Sequence, residues 1–166
     1  QNYTARRAMG GGIILDGSHE IDYIRWLLGE VTQVYCQAGT LSDLDVDVED
    51  TASIILTFES GCIGEVHLDF VQRARARNCK VVGTEGTITW DHITGSLMVF
   101  EAGNSSWRSF DLDPDPNAKY LAEMDDFMRC VIKEREPVAG LHAGVRVMEI
   151  ALAALESTMT GTSVKL

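Results

Sequence analysis

Thr51-Ala52-Ser53-Ile54-Ile55-Leu56-Thr57-Phe58, followed after Glu59-Ser60-Gly61 by Cys62-Ile63-Gly64-Glu65-Val66-His67-Leu68-Asp69-Phe70, decides the fold. The first run is β-branched and apolar and the second alternates apolar with polar residues, and both patterns belong to strands. Ser60-Gly61 supplies the turn between them, so the pair reads as an antiparallel hairpin with one face buried.

The same texture extends outward on both sides. Val31-Thr32-Gln33-Val34-Tyr35-Cys36 precedes the hairpin, and Cys79-Lys80-Val81-Val82, Gly86-Thr87-Ile88-Thr89-Trp90, Ser96-Leu97-Met98-Val99-Phe100 and Trp107-Arg108-Ser109-Phe110 follow it. The intervals between these later runs are too short for helical crossovers and indicate a meander. Ser163-Val164-Lys165-Leu166 reads as a short edge strand.

Helical spacing frames the strands. Ile13, Leu15, Ile21, Ile24, Leu27 and Leu28 predict one helix of about three turns, stopped by Gly29. Asp111-Leu112-Asp113-Pro114-Asp115-Pro116-Asn117 is a loop by its prolines and acids. Beyond it, Leu121, Met124, Phe127, Met128, Val131 and Ile132 trace one apolar helical face, and a last helix over 143–159 carries Val147, Ile150, Ala151, Ala154 and Leu155. The expected architecture is α+β: a largely antiparallel, open-faced sheet of about six strands with helices packed on one face, in a single domain over residues 1–166. If the free sheet face is apolar, a second domain or an identical subunit must cover it.

Composition narrows the function classes. The 166 residues are 45% hydrophobic and 23% charged, as expected of a globular domain with a core. A formal net charge of −11 disfavours nucleic acid and anionic membrane surfaces as partners. No apolar run approaches the roughly 20 residues that span a bilayer. Cys36, Cys62, Cys79 and Cys130 lack paired spacing, so buried free thiols in a reducing, cytoplasmic setting are expected. The first residue is Gln1, not Met, which leaves open a start further upstream.

The chemistry concentrates in Gly10-Gly11-Gly12-Ile13-Ile14-Leu15-Asp16-Gly17-Ser18-His19-Glu20-Ile21-Asp22. In a continuous helix, residues three apart differ by about 300° of rotation, so Asp16 and His19 would share one face. Histidine titrates nearest neutrality, and a neighbouring carboxylate can orient it for general acid/base work. The glycines allow a tight loop and close approach by a ligand or a second chain. The same residues also suit a helix cap and a structural histidine, and spacing alone does not separate the two.

Other constellations are weaker. Asp43, Asp45, Asp47, Glu49 and Asp50 lack the glycine and glutamate that a calcium loop needs at its sixth and twelfth positions, where Val48 and Ile54 stand, so a solvated acidic turn is expected. Arg73, Arg75 and Arg77 would share one side of an extended segment, as a charged face. His67, His92 and His142 have no ligand-spaced His or Cys neighbours. No nucleophile elbow, phosphate loop or G-x-G-x-x-G occurs.

Taken in order, Ala8 through Asp22 with Trp26-Leu27-Leu28-Gly29, then Val48-Glu49-Asp50-Thr51-Ala52, Gly61, Val82-Gly83-Thr84-Glu85-Gly86-Thr87-Ile88 and the closing helices, the chain resembles the C-terminal domain of the Gfo/Idh/MocA oxidoreductases. This is the family of glucose-fructose oxidoreductase and inositol dehydrogenase. The resemblance implies a preceding Rossmann domain, outside this chain, that holds NAD or NADP and a catalytic lysine in a Glu-Lys-Pro segment. It implies His19 as general acid/base, Asp16 as the residue orienting substrate or imidazole, and Arg7 and Gly12 as substrate contacts. No residue of this chain is expected to bind the cofactor or a metal. It further implies a sugar, cyclitol or related small-molecule substrate and a homo-oligomer built through the open sheet. Many members place three residues between the aspartate and the histidine, whereas only Gly17 and Ser18 intervene here, which weakens the case for Asp16 more than for His19. Two other functions stay open: a non-catalytic dimerisation or ligand-binding module, and a member using NAD transiently for hydrolysis or elimination.

Overall fold

The computed structural model describes residues 2–112, 115, 117–133 and 135–166. Two short 3-10 turns, Tyr3–Ala5 and Arg7–Met9, lead into α1 (Ile13–Asp16) and α2 (Ser18–Leu28). Seven strands follow: β1 (Val31–Gly39), β2 (Thr51–Phe58), β3 (Ile63–Asp69), β4 (Asn78–Gly83), β5 (Gly86–Asp91), β6 (Ser96–Glu101) and β7 (Ser106–Asp111). Helices α3 (Ala118–Lys133) and α4 (Leu141–Thr160) and the short β8 (Val164–Lys165) complete the chain. The α+β class holds, but the strands divide into two antiparallel sheets of four, ordered β3-β2-β1-β8 and β4-β5-β6-β7. Of the loop expected over 111–117, Asp113, Pro114 and Pro116 lie outside the described residues. Among the described residues, no helix is long and apolar enough to cross a membrane.

The chain forms two compact units, Gln1–Val71 with Ala139–Leu166, and Gln72–Val138. In the first, the hairpin forms as read: Ile55 sits opposite Tyr35 on β1 and Glu65 on β3. Gly61 turns it with φ +82°, and Phe58 N–H donates to Cys62 O at 3.0 Å. Alternation then sorts the side chains. Ala52, Ile54, Leu56 and Phe58 of β2 and Val66 and Leu68 of β3 are buried, under Ile14 of α1, Ile21 of α2 and Ile150, Ala151 and Ala154 of α4. The small side chains of Ala151 and Ala154 let α4 settle close to β1. The opposite face carries Gln37, Ser53, Ile55, Ile63, Glu65 and His67, all exposed, and is therefore mixed and not apolar. Arg25 and Arg146 both pair with Glu30, joining the end of α2 to α4. The Arg25 hydrogen bond in particular holds the Glu30 carboxyl below the usual carboxylate range.

The second unit contains the β4–β7 meander and α3. Cys79, Trp90, Leu97 and Phe110 stand opposite one another across its four strands, as do Val81, Ile88, Val99 and Arg108. The apolar stripe of α3 exists as the sequence predicts, with Leu121, Met124, Phe127, Met128, Val131 and Ile132 exposed.

The expected single helix after the glycines is instead two, because Gly17 (φ −86°, ψ 12°) separates α1 from α2. Its N–H still reaches Ile13 O (2.8 Å), but Glu20 N–H bonds back only to Gly17 O (2.9 Å), the tighter three-residue spacing. Gly17 is buried, and a Cβ there would lie 2.8 Å from Ile13 O and 2.9 Å from Leu68 Cδ1. Gly17→Ala is therefore expected to cost about 2 kcal/mol through overpacking, seen as a lower urea midpoint with unchanged slope.

Candidate active site

The segment before α1 is held by its own backbone. Gly11 N–H donates to Arg6 O (3.0 Å), Gly12 N–H to Thr4 O (2.9 Å) and Asp47 N–H to Ala5 O (3.2 Å). A Cβ on Gly11 would lie 2.5 Å from both Tyr3 O and Thr4 O, so the close approach this glycine permits is made by the chain itself. Gly12 (φ +123°) faces Glu49, whose Oε1 would lie 2.2 Å from a Cβ at that position. Glu49 in turn accepts from Ile13 N–H through its backbone oxygen (3.1 Å) and from Ile14 N–H through Oε1 (3.3 Å). One loop residue thereby satisfies the first two N–H groups of α1, one through its backbone oxygen and one through its carboxylate, where Gly12 has no side chain to cap them.

The acidic loop is thus only partly solvated. Asp45 receives both Arg6 guanidinium nitrogens (2.8 and 3.3 Å) and is held by them below the usual carboxylate range. Asp47 accepts from Arg7 N–H (2.6 Å), while Glu49 and Asp50 are buried. Asp50 accepts from Leu41 N–H (2.9 Å), Ser42 N–H (3.0 Å), Ser42 Oγ–H (2.5 Å) and Thr51 Oγ1–H (3.1 Å). Burial pushes its carboxyl up, but these donors together hold it below the usual range. Among the described residues, no group of three or more His, Cys, Asp or Glu side chains is placed to hold a metal.

Asp16 and His19 fall on either side of the Gly17 break, and each has its own partner. Tyr3 Oη–H donates to Asp16 Oδ1 (3.2 Å), whereas His19 Nε2 lies 3.0 Å from Glu20 Oε1. His19 faces a cleft of about 380 Å³ between α2 and the start of α4, lined by Ser18, His19 and Asp22 from α2 and by Gly140, Gly144 and Met148 among others. That volume suits a small organic ligand. Asp22 and His19 stand three residues apart within one helix, so the carboxylate sharing the cleft with the imidazole is Asp22. Asp16, Arg7 and Gly12 do not line it. Arg7 is exposed, with Nη2 3.4 Å from Asp47 O, and Gly12 is buried against Glu49. Ser18, His19 and Asp22 line the same cleft, and a hydroxyl, an imidazole and a carboxylate are groups able to bind a hydroxylated ligand and exchange a proton with it.

Reading the sequence for Asp16 and His19 missed Asp22, Ser18, Glu20 and the α4 residues. The His19-x-x-Asp22 spacing carried a local signal for Asp22, but the α4 residues lie more than a hundred positions away and carried none. The remaining histidines, His67, His92 and His142, do not line the cleft. His67 contacts Ser53 Oγ and Asp69 Oδ2, each at 3.3 Å, and the His92 ring lies tilted at 55° to that of Trp90. All four cysteines are free, and Cys62 is exposed, unlike the buried thiols expected. Burial pushes the Cys36 thiol up.

Comparison with known proteins gives a consistent relation. The chain is 30% identical to a myo-inositol 2-dehydrogenase of Thermotoga maritima, over 95% of this chain and 50% of that protein. It is 29% identical to a scyllo-inositol 2-dehydrogenase (NAD(+)) of Bacillus subtilis, over 94% and 48%. A levoglucosan dehydrogenase solved with NADH and levoglucosan shares the fold, with a TM-score of 0.91 at 21% identity over 99% of this chain and 53% of that one. The chain therefore spans about half the length of the curated relatives it matches. Residues 1–166 match the family model described as "Oxidoreductase family, C-terminal alpha/beta domain". With that match over its whole length, the chain belongs to the Gfo/Idh/MocA oxidoreductases and is their C-terminal domain.

Proposed function

We propose that this chain is the substrate-binding and oligomerisation domain of a cytoplasmic NAD(P)-dependent oxidoreductase acting on a sugar, cyclitol or related hydroxyl or carbonyl compound. The observation that carries the reading is His19 in the first turn of α2, facing a ligand-sized cleft beside Ser18 and Asp22. In this reading, His19 moves the proton of the reacting hydroxyl and the cleft's polar groups orient the ligand. Asp16, held by Tyr3 before the Gly17 break, lies outside the cleft lining, as do Arg7 and Gly12, so the reading rests on His19, Ser18 and Asp22. Inositol dehydrogenases among the relatives support the substrate class and an NAD-type cofactor.

The cleft does not itself fit a dinucleotide. Its one carboxylate, Asp22, repels a pyrophosphate, and no Lys or Arg lines it, so cofactor binding is assigned to residues outside this chain. For the oligomer, the open face of the first sheet is the proposed contact, since Ile55 and Ile63 are 46% and 74% exposed there.

The test is direct. The full-length protein is expected to reduce NAD+ or NADP+ in the presence of at least one member of an inositol and aldose panel. Residues 1–166 alone are expected to be inactive and to show no heat of NAD(H) binding at millimolar cofactor. Micromolar binding by the isolated domain would overturn the division of labour.

A further inference from the structure

We propose that Gly144 is a specificity-determining residue of the cleft: the room left by its missing side chain receives the C–H face of a ring-shaped polyol whose hydroxyls turn towards Ser18, His19 and Asp22. This rests on the reading of the cleft as the substrate site. Gly144 closes the first turn of α4, and its N–H donates to Gly140 O at 3.2 Å. Glycine is the poorest helix former after proline, so its presence inside a helix calls for a physical reason. Gly17 and Gly64 of the same unit have a steric one, since a Cβ would lie 2.8 Å from Ile13 O and from Ile24 Cδ1 respectively. At Gly144 the backbone is helical without a positive φ. Beyond its chain neighbours and its own helix backbone, a Cβ there would have no heavy atom of the described residues within 4 Å. The residue is exposed and lines the cleft, so the missing side chain matters to what enters the cleft and not to the packing of the fold.

The two sides of the cleft differ in chemistry. Ser18, His19 and Asp22 of α2 supply a hydroxyl, an imidazole and a carboxylate, whereas the lining residues within 139–148 are Ala, Gly, Val and Met, with no side-chain donor and no charge. A cyclitol or pyranose matches that division. Its rim carries hydroxyls, which cost free energy when buried without partners, and its ring faces carry C–H groups, which gain from apolar contact. Seating a C–H face on α4 leaves the rim hydroxyls for the α2 side. Met148, one turn beyond Gly144 and 42% exposed, extends the apolar seat with an adaptable side chain. Any side chain at position 144 competes with the ring for the same space.

The experiment compares Gly144→Ala, Gly144→Val and Gly144→Ser in the full-length protein, with those members of the inositol and aldose panel that wild type turns over. KM is expected to rise about 5-fold with alanine and about 50-fold with valine, while kcat stays within about 3-fold because His19 is untouched. Gly144→Ser should raise KM at least as much as Gly144→Ala, since its hydroxyl meets C–H groups. Urea midpoints of all three variants should equal or exceed that of wild type, because each new residue is a better helix former than glycine. An unchanged KM in Gly144→Val, or a lowered urea midpoint that marks a packing role, overturns the proposal, and continued turnover then leaves the role of His19 standing. A KM for Gly144→Ser at or below the wild-type value overturns the seating of a C–H face on α4. A wild-type protein that turns over nothing in the panel overturns the functional reading and this proposal with it.

Discussion

Asp50→Ala is expected to lower stability by about 3 kcal/mol, equivalent to roughly 10 °C in Tm for a chain of this size. The side chain is 0% exposed and collects four donors, from Leu41, Ser42 and Thr51. Alanine leaves those donors in place without an acceptor, and unsatisfied buried donors cost more than the bonds contribute when made. Asp50→Asn should fall between the two, because one carbonyl oxygen still accepts. The pH dependence follows from the lowered carboxyl. Its folded-state value lies below the ordinary unfolded value of about 3.9, so its contribution is complete well above that value and is lost as the pH falls through the folded one. The difference between wild type and Asp50→Ala is therefore constant between neutrality and about pH 5 and shrinks below about pH 4. Urea melts of both proteins at pH 7 and pH 3 measure it, and an equal gap at the two values would refute the assignment.

His19→Ala is expected to reduce turnover of the full-length enzyme by about 10²-fold or more, with KM changed far less. The imidazole is exposed to the cleft and contributes little to the core, so its removal should leave the urea midpoint within about 0.5 kcal/mol of wild type. Loss of activity without loss of stability separates a chemical role from a structural one. A variant with near-normal turnover would reject His19 as the acid/base, whatever the family resemblance implies. Added imidazole should restore part of the rate if the deleted group acts by proton transfer.

Much of the fold was legible because the strands announce themselves locally. The hairpin over 51–70 has alternation, a Ser-Gly turn and β-branched residues that agree, and it forms with Ile54 opposite Val66 in the core. The meander was equally plain from its short intervals. What alternation does not encode is which strands share a sheet, so the division into two sheets of four emerged only from pairing. The helix break was hidden for a different reason: Gly17 sits in a run of good helical spacing, and the space at it is closed by Ile13 O one turn back together with Leu68, across the core. The acidic loop misled in the same way, since composition suggested solvent where Glu49 caps α1 and Asp50 gathers a turn. At the cleft, the histidine was legible, but its surroundings depended on α4 meeting α2 across most of the chain length.

The chain leaves its first unit after Val71 and returns at Ala139. Every residue lining the cleft comes from outside the intervening 67-residue excursion, Gln72–Val138. Substitutions, insertions and deletions within that excursion therefore leave the cleft's own lining unaltered in sequence. The second sheet and α3 can be redrawn while the cleft's lining stays encoded in two separate stretches, 18–22 and 139–148.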